Sequence, residues 1–127
     1  MLVYRVEHEQ KGHGPYVECY GETEWDTDCR YRFPDSNRPM PMEDGIEGVK
    51  DKHFFGFQSL TQLRSWFPPG VWGRMSRVGF SVAVYRVPDT WVKVGGKQVA
   101  FRKTFMPKER IPFDQVENRI RGIVSCK

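Results

Sequence analysis

At 127 residues and net charge +4, the chain has the size of one domain built on a single core. Hydrophobic residues at 39% and aromatics at 14% exclude a disordered chain, and no apolar run approaches the roughly 20 residues that cross a bilayer. The charge is uneven: residues 1–52 hold seven Lys/Arg against twelve Asp/Glu, and residues 53–127 hold thirteen against four. Either the halves neutralise each other across one fold, or the basic half meets phosphates or an acidic protein surface. The expectation is a soluble, intracellular protein with no membrane partner.

In chain order, Leu2 to Val6 alternates as a strand does, with Leu2, Tyr4 and Val6 on one face. From about Glu9 to Lys52 no period persists, and the segment reads as a long acidic loop with one strand candidate, "YVECY". Cys19, Cys29 and Cys126 are odd in number and lack a C-x-x-C spacing, which suits free thiols in a reducing compartment. Ser59 and Gln62 in "SLTQLRSWF" form a capping-box pattern, with Leu60, Leu63 and Trp66/Phe67 on one helical face. Pro68-Pro69-Gly70 ends that helix. "GVWGRMSRVG" predicts a second helical segment stopped by Gly79.

"FSVAVYRVP" is apolar on both faces, as a central strand is. "WVKVGGKQVAF" predicts a hairpin turning at Gly95-Gly96 in a type I′ turn. "PFDQVENRIRG" predicts a short helix with Val116 and Ile120 inward, closed by Gly122. The sum is one α+β domain over residues 1–127, with a mainly antiparallel sheet, one or two central helices and the acidic N-terminal loop.

Few motifs carry chemistry. His8, His13 and His53 with Cys19 or Cys29 match no short zinc-ligand spacing, so no metal is expected. There is no G-x-S-x-G, no G-x-G-x-x-G and no P-loop. "HGPY" and "VGGK" are glycine-containing loops able to approach a phosphate, although Gly-Gly-Lys is foremost a hairpin turn. Phe54, Phe55 and Phe57 crowd the entry to the first helix, where they fill the core or line an anion site at Ser59.

Taken in order, "YR" on a first strand, an aromatic and serine segment entering a helix, and "KQVAF" on a late strand resemble ADP-ribosyltransferase-like domains. That resemblance implies NAD bound in the cleft of a split antiparallel sheet. Arg5 or His8 would hold the nucleotide, with Tyr4 beside them on the cleft wall. Phe57 and Ser59 would flank the nicotinamide ribose, and Gln98 would occupy the place of the family's late glutamate. Glutamine has no charge with which to stabilise an oxocarbenium-like transition state. Either Glu109 takes that role, or the domain binds NAD without catalysis.

A longer resemblance runs through "YRVEH", "GPY", "HFFGFQSLTQLRSWF", "GFSVAVYRVP" and "VGGKQVAF". It is similar to small phage and prophage proteins, a family without assigned chemistry, and implies an accessory protein in the host-cell cytoplasm. Two readings follow. One is an ADP-ribosyltransferase-like, NAD-binding protein acting on a host target. The alternative is a non-enzymatic inhibitor that blocks a host protein or nucleoprotein complex, such as a defence system, through a charged surface. The acidic residues Glu22, Glu24, Asp26 and Asp28, or the basic Arg74, Arg77, Lys97, Arg102 and Lys103, would form that surface, anchored by Trp25 or Trp72. Direct nucleic-acid binding is the weaker third option, with Trp72 and Trp91 as stacking residues.

Overall fold

The structure, a computed structural model, describes residues 1–10, 12, 14–15, 41–49, 53–102 and 106–122. "YVECY", the acidic residues 22–28, Trp25, His13, Lys103 and all three cysteines lie outside the described residues.

Among the described residues, six strands and three α-helices are ordered β1 (Leu2–His8), β2 (His53–Gly56), α1 (Leu60–Trp66), α2 (Pro69–Arg77), β3 (Phe80–Arg86), β4 (Val92–Val94), β5 (Val99–Arg102), β6 (Glu109–Ile111) and α3 (Phe113–Ile120). The strands form two antiparallel three-stranded sheets, ordered β1-β3-β6 and β2-β5-β4. The α+β expectation holds, and the sheet is split. The apolar β3 is central in the first sheet. Its register pairs Tyr4 with Val84 on one side and Val84 with Glu109 on the other.

Strand alternation sends β1's side chains to two destinations. Val6, Phe80, Val82, Val84 and Ile111 face the helices, where they pack with Leu63, Trp66, Met75, Phe113 and Val116. Val3, Ala83 and Tyr85 face the other way and pack with Val99 and Phe101 of the second sheet. Each helix is amphipathic toward the first of these cores. The α1 cap is as expected on one side, since Ser59 Oγ accepts from Gln62 N–H at 3.1 Å. The Gln62 side chain returns to Gln58 N–H at 2.9 Å, one residue before the reciprocal partner of a capping box. Helix α2 starts at Pro69, where a missing N–H costs nothing. Trp72 on α2 is buried, stacked on Phe113 and donating its indole N–H to Phe67 O at 2.7 Å. It is a core residue, so the surface-anchor and base-stacking roles expected of it are corrected.

The β4–β5 hairpin is present, but not as a two-residue I′ turn. Val94 pairs with Val99, which leaves Gly95 to Gln98 as the loop, and neither of its glycines has positive φ. The loop folds around Asp44 instead, whose carboxylate accepts from Lys97 N–H at 2.8 Å and Gln98 N–H at 2.9 Å. A Cβ at Gly95 would sit 2.5 Å from Asp44 Oδ2, so the glycine serves a close approach.

Besides the side-chain packing, a backbone bridge joins the two sheets. Tyr4 and Phe57 exchange both backbone hydrogen bonds, at 2.8 and 2.7 Å, as an isolated antiparallel bridge. Beside it, a Cβ at Gly56 would lie 2.7 Å from Val3 Cγ1 and 2.8 Å from Tyr4 O. Only glycine lets β2 approach β1 so closely.

Candidate functional site

A continued ladder would next pair Val6 with Phe55, two residues beyond the bridge. The strands diverge instead, and Phe55 O accepts from Arg5 Nη1 at 3.0 Å. The side chain of the first sheet thus replaces its backbone as donor, and a wedge opens between the sheets. A cavity of about 280 Å³ fills it. Its walls are aromatic, from Phe54, Phe55, Phe57, Trp66 and Phe67, with Arg5, His53 and Gln98 as the polar side chains and Gly14-Pro15 at its margin.

Arg5 is held from three directions. Its Nε donates to Glu7 Oε2 at 3.1 Å, Nη1 donates to Phe55 O, and the guanidinium lies 5.1 Å from the Phe54 ring centroid. Nη2 is the guanidinium atom nearest Gly14, 3.1 Å from where a Cβ there would stand. It makes no hydrogen bond among the described residues. Burial holds the Arg5 pKa below its ordinary value, against the opposing pull of Glu7, and a guanidinium stays protonated all the same.

Behind Arg5 lies a charged cluster on the sheet face opposite the helices. Arg5, Ala83 and Arg110 form one cross-strand row, and the small Ala83 leaves room between the arginines. Glu7, 1% exposed, also accepts from Arg110 Nη2 at 3.1 Å and from the Tyr85 hydroxyl at 2.7 and 2.8 Å. Burial, then the bonds to Glu7, push the Tyr85 hydroxyl well above its ordinary pKa, so it stays a neutral donor. Ser81 Oγ and Arg110 Nη1 are buried without hydrogen-bond partners among the described residues.

The residues expected at an NAD cleft divide. Arg5, Phe57 and Gln98 line the cavity together. Tyr4, His8, Ser59 and Glu109 are not among its lining residues. Tyr4 contributes its backbone to the bridge, and alternation turns its side chain to the helix face. His8 closes the end of β1, its Nδ1 accepting from Gln10 N–H at 3.2 Å and its ring edge-on to Phe80. Ser59 caps α1. Glu109 is on β6, the far edge of the first sheet, in an ion pair with Arg119 at 2.9 Å. That bond to Arg119 depresses the Glu109 pKa. Among the described residues no carboxylate lines the cavity.

Of the basic residues expected on one surface, Arg74 and Arg77 end α2, whereas Lys97 and Arg102 belong to the β4–β5 hairpin. Arg102 is spent on Trp91, 5.2 Å from its ring centroid. Trp66, Glu7, Tyr85 and Arg110 were missed by sequence reasoning. The polar Arg5–Glu7 alternation on the back of β1 was the available signal for the buried cluster.

A profile of the family described as Bacteriophage T4 Y00F protein matches residues 1–112. The chain belongs to this phage protein family. A relative in Enterobacteria phage T4, "Uncharacterized 19.7 kDa protein in motB-dexA intergenic region", is 40% identical over 53 residues. That alignment covers 42% of this chain and 32% of the relative, so the chain matches about a third of the relative's length. No solved structure matches. The resemblance to small phage proteins therefore holds. Among the described residues no helix is long and apolar enough to cross a membrane.

Proposed function

We propose that this small phage protein binds a nicotinamide dinucleotide of the NAD class, with one ring in the wedge between the two sheets, and does not itself transfer ADP-ribose. One observation carries the reading: Arg5, Phe57 and Gln98, from three separated parts of the chain, line one aromatic cavity where the split sheet opens. The cavity is slightly smaller than the roughly 300–1,000 Å³ of pockets that enclose a drug-sized ligand. It fits a single heterocycle, leaving a dinucleotide's phosphates outside near the Gly14-Pro15 margin.

Binding is favoured over transfer because the position expected to carry a glutamate presents the Gln98 amide, and Glu109 is engaged with Arg119 at the far sheet edge. A wall of aromatics and a fixed guanidinium supplies stacking and orientation without the negative charge that an oxocarbenium-like transition state requires. The acidic segment on which a host protein or nucleoprotein partner would dock lies outside the described residues.

Calorimetric titration with the reduced and the oxidised dinucleotide tests the proposal. Saturable one-site binding of at least one form is expected, and no heat up to millimolar ligand overturns it. Incubation with labelled dinucleotide and host lysate is expected to leave host proteins unlabelled. Transfer of label would replace the binding reading with a transferase.

A further inference from the structure

We infer that the wedge selects its ring by charge: it takes a neutral or anionic aromatic carboxamide or carboxylate and rejects a ring that carries its own positive charge. The inference deepens the binding reading above by naming the chemistry of the ring. Three observations converge on it. The Arg5 side chain is 8% exposed, and its Nε and Nη1 are committed to Glu7 and Phe55 O. Its Nη2 lies toward Gly14, itself a lining residue, without a hydrogen bond among the described residues. A guanidinium donor that lines an aromatic cavity with no acceptor among the described residues favours a ligand that brings one, and a carbonyl or carboxylate oxygen on a planar ring supplies it in the plane of the fork.

The second step is the charge behind the donor. Among the described residues the cluster holds two guanidiniums, Arg5 and Arg110, against one carboxylate, Glu7, with Tyr85 kept neutral by burial. Beside the five aromatic side chains of the cavity wall, that excess is screened less than it would be in bulk water. An N-alkylated pyridinium within stacking distance of Arg5 meets repulsion, whereas the same ring without the alkyl group does not. A ring bearing a carboxylate gains further, because its hydrogen bond to Arg5 is charged at both ends. For a dinucleotide, the same selection favours the reduced form, whose ring is neutral, over the oxidised form.

The test uses the full chain and three single rings that differ in charge: nicotinate, nicotinamide and 1-methylnicotinamide, titrated by calorimetry. Nicotinate is expected to bind most tightly and 1-methylnicotinamide at least about tenfold more weakly than nicotinamide, the worth of one interaction with a charged group. Gly14→Ala is the companion variant. Its Cβ would stand 3.1 Å from Arg5 Nη2 and crowd that donor, while the bonds of Arg5 to Glu7 and Phe55 stay in place. It is expected to fold as the parent does and to lose most of the preference for nicotinate over nicotinamide. Equal affinity for the cationic ring, or an unchanged preference in Gly14→Ala, overturns the inference. If the single rings sort as expected but neither dinucleotide binds, charge selection stands and the dinucleotide reading falls.

Discussion

The two faces of the seven-residue β1 are stabilised in opposite ways. On the helix side, Val6 joins Val82, Val84, Leu63 and Met75, side chains that ask for no specific partner. On the other side, Arg5 and Glu7 are buried too, yet each depends on partners from β2, β3 or β6. The first face gains stability from area removed from water and tolerates changes of similar volume. The second gains little net stability, because desolvating the ions offsets their attraction, but it fixes one guanidinium at one place and angle. The cavity lies at that fixed guanidinium, at the strand edge where both faces contribute lining residues.

Breaking the charged face is expected to have the larger effect. Glu7→Gln removes the carboxylate that holds Arg5 and Arg110 and leaves two cations in a buried setting. A loss of about 3–5 kcal/mol is expected, measured by denaturant unfolding. A loss under about 1 kcal/mol would mean that the cluster is solvated and that the contrast between faces is wrong. On the apolar face, Leu63→Ala should cost about 2–5 kcal/mol through lost burial and the cavity it leaves. The two variants separate more sharply in binding. Leu63→Ala, measured where it is still folded, should keep ring affinity within about threefold, since Leu63 does not line the wedge. Glu7→Gln should weaken ring binding by about tenfold or more, through the released Arg5.

Periodicity made the apolar face readable. Leu60, Leu63 and Trp66 recur at helical spacing, Phe80, Val82 and Val84 alternate, and all are buried where those patterns put them. The capping serine, the central β3 and the closing helix α3 were legible for the same reason. The strands β2 and β6 were not, because four and three residues are too short to show a period, and their register comes from neighbours distant in sequence. The type I′ turn failed because a tertiary contact, the Asp44 carboxylate beneath Gly95 to Gln98, overrode the local preference of Gly-Gly. For the site, a linear pattern of named residue types brought Arg5, Phe57 and Gln98 to one cavity. It also named Ser59 and His8, which are not among the cavity's lining residues, because cap and strand-end roles use the same residue types. Glu7, Tyr85 and Arg110 escaped notice because their meaning lies in cross-strand rows that only the fold creates.

The smallest expected effect sharpens the comparison at the edge of the same sheet, where an ion pair meets solvent. Glu109 and Arg119 share two hydrogen bonds, at 2.9 and 3.2 Å, with side chains 35% and 43% exposed. The Glu109 pKa is depressed in the folded chain, chiefly by the hydrogen bond to Arg119. A depressed carboxylate contributes stability that is complete above its unfolded pKa and lost as pH falls through the lower folded value. Glu109→Gln should therefore cost under about 1 kcal/mol at pH 7, since water and salt screen exposed pairs. That cost should shrink as pH drops below the ordinary carboxylate value of 4.5. Parallel melting curves for parent and variant between neutral and acid pH measure the difference. A gap that stays constant through the acid range would show that the pair carries no protonation-linked stability. A gap that closes in acid, beside a Glu7→Gln defect several times larger at pH 7, would show that burial gives the inner carboxylate its weight.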